Sequence, residues 1–159
     1  MDVIIIDITG IKGNSTFKGY TDKVILNSFS HGVALPMSGD PANTERTMGR
    51  PQFSEMSFSK MTDQSTPLLY AACAQGKKLG TATINIGRNE AGEFMSLLKY
   101  ELSNAMVSNI NTSGGGGSPS DSFSLNFTQI KTFFTQQGAD SVKKGTADFG
   151  WNLETNAAA

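Results

Sequence analysis

The sequence predicts a mostly β fold, on three observations. Short apolar or alternating runs recur at regular intervals, clusters of Gly, Pro, Asn and Ser separate them, and a single stretch carries both a helix start and a helix stop. At 159 residues the chain fits one domain, 1–159, with one sizeable core. The expected architecture is a small closed or partly open antiparallel β-barrel of seven to eight strands, with one short flanking α-helix at about 66–75 and a long projecting loop at 36–51.

Val3 to Ile11 is a β-branched run that ends in Gly10-Ile-Lys-Gly13, and Lys23 to Leu35 reads as a second strand. Its two-residue period puts Ile25, Phe29, His31, Val33 and Leu35 on one face and Ser28 and Ser30 on the other. In Phe53 to Met61, Met56 and Phe58 alternate with Glu55, Ser57 and Ser59, the pattern of a half-buried strand. The helix follows, with Thr66 as N-cap, Pro67 at the first helical position and Gly76 as a left-handed stop. So short a helix must bury a face, and Leu68, Leu69, Ala72 and Cys73 are the residues to do it, with Lys77 and Lys78 near its negative end. Thr81 to Gly87 carries Ala82, Ile84 and Ile86 on one side. Phe94 to Ile110 is longer than an ordinary strand, which suits one bent strand crossing a barrel corner. Phe123, Leu125 and Phe127 alternate with polar residues, and the last strand aligns Ala147, Phe149, Trp151 and Leu153.

Two connections are unusual. Pro36 to Pro51 is a polar excursion longer than a domain ordinarily keeps without a purpose, and it reads as an arm. Thr112 to Ser120, with four consecutive glycines, is a flexible link between strands.

Charge is sparse. Charged residues are 17% of the chain against 17 Ser, 15 Thr and 11 Asn, so the polar surface is mostly hydroxyl and amide. Thirteen basic and fourteen acidic residues give a net charge of −1, which leaves no basic excess for phosphates and argues against a nucleic-acid partner. A lone Cys73 excludes an intrachain disulfide. The N-terminal Met-Asp-Val-Ile-Ile-Ile-Asp-Ile has no basic flank and too short an apolar run for a secretory signal or a membrane span. The expectation is a chain folded in the cytoplasm and not inserted in a membrane, whose export would use a machine that reads no such signal.

Motifs for chemistry are weak. Gly114 to Gly117 lacks the Lys-Ser/Thr pair of a phosphate loop, and Gly10-x-x-Gly13 lacks the third glycine of a dinucleotide fingerprint. His31, the single histidine, shares strand parity with apolar residues and reads as a packed core residue, and Cys73 as a small buried hydrophobe. The carboxylates Asp22, Asp40, Asp63, Glu90, Asp121 and Asp140 form no close pair in sequence. Asn14, Asn111 and Asn126 head Asn-x-Ser/Thr triplets that a chain this rich in Asn, Ser and Thr acquires by chance. Phe133-Phe134 and Lys143-Lys144 are too few for a stacking surface. No catalytic residue, metal site or cofactor is expected.

Several segments together resemble one family. Ile8-Thr-Gly-Ile-Lys-Gly13, Ile25-Leu-Asn-Ser-Phe-Ser-His-Gly32, Met56-Ser-Phe-Ser-Lys-Met-Thr-Asp-Gln-Ser-Thr-Pro-Leu-Leu69 and Cys73-Ala-Gln-Gly-Lys77 are similar to the haemolysin-coregulated protein (Hcp) family. So are Val107 to Ser113, Leu125-Asn-Phe-Thr-Gln-Ile130 and the ending Phe149-Gly-Trp-Asn-Leu153. These are the tube proteins of bacterial type VI secretion. The chain departs from the family pattern at Phe29 and His31, near which the family's second strand usually carries tryptophans, and in the Pro36 to Pro51 arm.

The resemblance implies a small β-barrel that assembles into hexameric rings, stacked into a tube and propelled by a contractile sheath. Effectors ride in the lumen and a VgrG spike caps the tube. The resemblance also implies a protein that is cytoplasmic before firing and secreted afterwards with no cleaved signal peptide. The end of the sequence eight residues after Trp151 leads to the expectation of a plain tube subunit without a fused toxin domain. Given that reading, Ser28 and Ser30 are the candidates for lining the channel. Met37, Asp40, Glu45, Arg46 and Arg50 are the candidates for contacts between neighbouring subunits or successive rings. Two rival classes are a carbohydrate-binding domain using exposed aromatics such as Tyr20 or Tyr100, and an enzyme built on His31, Cys73 or a carboxylate pair.

Overall fold

The computed structural model describes residues 3–37, 39–42, 44, 46–47, 49–90, 93–137 and 143–159. Strand alternation builds it. Within these residues the chain forms β1 (Val3–Ile8), β2 (Val24–Leu26), β3 (Ser28–Ser30), β4 (Val33–Ala34), β5 (Gln52–Phe53), β6 (Met56–Met61), α1 (Ser65–Gln75), β7 (Ala82–Glu90), β8 (Glu93–Ser103), β9 (Met106–Ser113), β10 (Ser120–Asn126), β11 (Gln129–Gln137), β12 (Lys143–Asn152) and β13 (Ala157–Ala158). Every named pairing is antiparallel. A seven-stranded sheet runs β13-β12-β11-β8-β7-β1-β2, a four-stranded sheet runs β3-β6-β10-β9, and β4 with β5 forms a short ribbon.

The two larger sheets face each other across one core, a barrel-like arrangement that is not strictly closed. Ile6, Ile8, Val24, Ile84, Leu102 and Ile130 come from the larger sheet, and Met56, Phe58, Val107, Phe123 and Leu125 from the smaller. Full burial of each such side chain contributes roughly 1.5–3 kcal/mol. Leu69 and Ala72 bring α1 into the same cluster. The chain passes directly between the sheets at Asn27, at Asn104-Ala105 and at Phe127-Thr128. Asn104 turns with φ of 54°, a left-handed conformation that asparagine tolerates better than most residues. The crossings are tied by main-chain hydrogen bonds, among them Asn27 N–H to Ser59 O at 2.7 Å and Thr128 N–H to Ser103 O at 3.0 Å.

The mostly β architecture, the single helix and the long excursion agree with the sequence. Several details do not. The expected strand 23–35 is three short strands: Asn27 shifts the alternation, so Val24 and Leu26 are buried and Ile25 is exposed rather than turned to the core. Val33, on the parity of the inward Phe29, is exposed because β4 lies in the ribbon outside the two large sheets. Phe94 to Ile110 is two strands in different sheets, not one bent strand. Residues 53–61 break between β5 and β6, and β11 was not expected at all. Together these give thirteen strands among the described residues rather than seven to eight.

The helix begins one residue earlier than expected. Gln64, itself helical in φ and ψ, precedes it without a side-chain cap. The Asp63 carboxylate instead accepts the Ser65 N–H at 2.9 Å, and the Thr66 hydroxyl is engaged elsewhere. Gly76 does stop the helix in the left-handed region, with φ of 61°. Leu68 is exposed, and Lys77 and Lys78 lie past the last turn.

Candidate functional site

Register in the four-stranded sheet aligns side chains from distant parts of the sequence. Phe29, Phe58, Phe123 and Ile110 stand opposite one another across β3, β6, β10 and β9 and turn inward. The period of two then forces the flanking positions outward. One outward row is Ser28, Ser59, Ser122 and Asn111, and the next is Ser30, Ser57, Ser124 and Asn109. Ser57 and Ser124 hydroxyls hydrogen-bond at 3.1 Å. Ser28 and Ser30, named from parity, are therefore part of a wider neutral face whose other members the sequence reading left unassigned. Each neighbour was legible as a polar position, but only strand order brings them into one surface.

At one end of this sheet, on its inner side, sits a charged cluster. Lys60 shares the parity of Met56 and Phe58 and is fully buried, as is Asp121 opposite it. The Lys60 Nζ donates to Asp121 Oδ2 at 2.7 Å, to Asp63 Oδ1 at 3.1 Å and to Thr66 Oγ1 at 3.0 Å. Thr62 and Thr112 donate to Asp121 Oδ1 at 3.0 and 2.7 Å, and Thr66 donates to Oδ2. Burial pushes the Asp121 carboxyl up, but hydrogen bonds from Lys60, Thr66, Thr112 and Thr62 outweigh it and hold it at about 2. So weak a base, with both oxygens engaged, is suited to anchoring α1 on the sheet rather than to proton transfer. Lys60 at a core-parity position was the signal that could have revealed the anchor.

The root of the arm forms a third feature. β4 pairs with β5, and the Ser54 hydroxyl and N–H both bond Gly32. His31, where the arm leaves the barrel, stacks on Phe53 at 6.2 Å and meets Tyr100 and Phe127 edge-on at 6.3 and 5.9 Å. Phe53 stacks in turn on Trp151 at 6.4 Å. His31 Nδ1 is buried without a hydrogen-bond partner. Burial pushes the imidazole pKa down, opposed in part by a backbone hydrogen bond at Ser54. The Tyr100 phenol is pushed up by burial in the same nest.

The remaining candidates separate. Met37 is exposed and bridges Thr47, extending the arm as a ribbon, while Asp40 caps the Ala42 N–H at 3.0 Å. Arg46 is exposed, and Arg50 Nη2 reaches Leu153 O at 3.3 Å. Glu45 lies outside the described residues, as does Asp140. Tyr20 packs edge-on against Phe94 at 4.9 Å and Tyr100 lies in the His31 nest, so neither offers a free stacking platform for sugar. Cys73 packs against the core from α1 while His31 contacts aromatic rings, an arrangement that does not make a nucleophile and base pair. Among the described residues no cluster of His, Cys, Asp and Glu fits a metal ion.

Residues 5–134 match the family described as type VI secretion system effector, Hcp. Protein hcp1 of Pseudomonas aeruginosa is 33% identical over 108 residues, which cover 66% of this chain and 67% of that protein. The major exported protein of the same organism is 32% identical over 79 residues, covering 50% of this chain and 44% of that protein. Among solved structures, one described as a type six secretion system protein superposes over all of both chains with a TM-score of 0.93 at 21% identity. Hcp1 from Salmonella typhimurium superposes with a TM-score of 0.79 at 19% identity, over 99% of each chain. At such identity these structures speak to the fold alone.

Proposed function

Because this chain belongs to the Hcp family of type VI secretion proteins, we propose that it is a structural subunit of the secretion tube, not an enzyme. Copies close into hexameric rings, the rings stack, the contractile sheath drives the tube out of the bacterial cytoplasm beneath a VgrG spike, and effectors travel in the lumen. The observation that supports this reading best is the outward face of the four-stranded sheet, where both central rows are serine and asparagine throughout. Facing a channel, small neutral hydroxyls give a hydrated wall on which cargo binds weakly and lets go. Ser28 and Ser30 belong to that wall.

The edges of the sheets support self-association. Among the described residues β9 ends the four-stranded sheet with no further strand paired to it, although α1 packs beside it and Tyr70 bonds Thr112 at 2.8 Å. An unpaired stretch of edge is a template for another strand. A head-to-tail contact with a closing rotation gives a ring, and a second contact along the axis gives a filament. Met37, Asp40, Glu45, Arg46 and Arg50 on the arm are the proposed contacts between subunits or rings. Surface ion pairs contribute only about 0–1 kcal/mol each, so repetition around the ring supplies the strength.

Ser30→Gln tests the channel: rings are expected by negative-stain electron microscopy, with less effector retained in a pull-down. Undiminished retention would remove Ser30 from the wall. A protein that stays monomeric at every concentration and binds sugar tightly would replace the whole reading with the carbohydrate-binding one.

A further inference from the structure

The arm root has one titratable pin. His31 occupies the joint where β3 gives way to the arm, and its ring contacts Phe53, on the returning arm strand, together with Tyr100 and Phe127 of the barrel. Phe53 also packs against the core and stacks on Trp151, and Arg50 bonds Leu153 O. We propose that His31 is an acid-sensitive latch: neutral, it seats the arm root against the barrel, and protonated, it releases that root.

The chemistry follows from the surroundings. An imidazolium has two N–H donors, whereas Nδ1 is buried with no hydrogen-bond partner. A new donor there would be unsatisfied, and a new charge would be desolvated among aromatic rings. The groups facing the ring from the packed elements are Phe53 of β5, Tyr100 of β8 and Phe127 after β10, none of them an anion at neutral pH. Lys99 and Glu101, which flank Tyr100, point to the opposite sheet face and pair with each other at 3.0 Å. Among the described residues no carboxylate forms an ion pair with the ring. Two forces oppose the desolvation: the backbone hydrogen bond at Ser54, which offsets burial only in part, and the attraction of an imidazolium to ring faces, which two of the three rings meet edge-on.

The sign is that of a base whose pKa is depressed in the docked state. Docking is fully favoured above the undocked value of 6.5 and weakens as pH falls below it. The latch is a property of the single chain; only its consequence for ring contacts rests on the tube reading.

The protein carries one histidine and one tryptophan, so both ends of the device report separately. The imidazole titration is followed by NMR and Trp151 emission by fluorescence between pH 8 and 4.5, with light scattering and far-UV circular dichroism at each point. The expected result is a red shift of Trp151 emission that tracks imidazole protonation below pH 6.5 at constant β content, and its absence in His31→Phe. Three results would overturn the latch: emission that stays flat while the imidazole titrates, an imidazole that stays neutral to pH 4.5, or the same emission change in His31→Phe. The first two are read on the unsubstituted protein and do not depend on the variant folding. Loss of ring size without an emission change counts against the latch alone, and failure to form rings at any pH counts against the tube reading alone.

Discussion

Lys60 carries a charge at a position where its neighbours Met56 and Phe58 carry none, and Asp121, distant in sequence and fully buried, together with Asp63 makes that tolerable. Removing one member of a buried pair leaves an uncompensated charge, typically at a cost of about 3–5 kcal/mol. Lys60→Met and Asp121→Asn are each expected to lower the urea midpoint strongly, and Lys60→Met with Asp121→Leu together to lower it less than either alone. The same pair sets an acid limit. With the folded carboxyl at about 2 and its ordinary value at 3.8, Asp121 contributes stability that is complete above the ordinary value and is lost as pH falls through the folded one. Urea midpoints measured between pH 4 and 2 should fall for the natural sequence, and the Asp121 contribution to that fall should be absent in Asp121→Asn. Only part of this was legible beforehand: Lys60 falls on the buried parity of its strand, but the partner that makes a charge tolerable there is set by register, which the sequence does not print.

Strands and the helix repeat the lesson at larger size. Where an element stays in one sheet, its two-residue period named the buried face correctly, as at Met56 and Phe58, Ala82 and Ile84, and Phe123 and Leu125. Where the chain changes sheet, as at Asn27, the period restarts and one parity no longer names the same face on both sides, hence the reversed placement of Ile25, while Val33 is exposed because β4 has left the two large sheets. Glycine marks two of the stricter joints. A methyl group on Gly87, beside the irregularity in β7, would lie 1.8 Å from Met95 O, so Gly87→Ala is expected to destabilise by about 1–3 kcal/mol. Gly76 holds φ of 61° with open space around it, so Gly76→Ala should cost only about 1–2 kcal/mol, from backbone conformation alone. Thermal unfolding of the two variants separates a clash from a conformational penalty. For the arm, deletion of residues 38–48 is expected to abolish tube growth in electron micrographs while leaving the circular dichroism of the barrel intact. Normal tubes from that variant would take the arm out of the junction.

For the whole molecule, sparse charge and a net charge of −1 leave little repulsion between copies, and if copies assemble as proposed, weak junctions would make the assembled fraction depend on concentration. Light scattering over a dilution series is expected to pass from stacks to rings to single subunits. The β class, the lone helix and the arm were visible in the sequence because composition and periodicity are local. The serine and asparagine face, the anchor at Lys60 and the nest around His31 were not, because each joins residues from several strands whose order only the folded chain defines. One tertiary detail bears on what the subunit can withstand. The backbone ties the two large sheets together at Asn27, at Asn104-Ala105 and at Phe127-Thr128, with no more than two residues at each tie. A force that drags one sheet past the other must strain these covalent staples at the same time, and on the proposed tube reading that is what would let a subunit pass thrust along without peeling open.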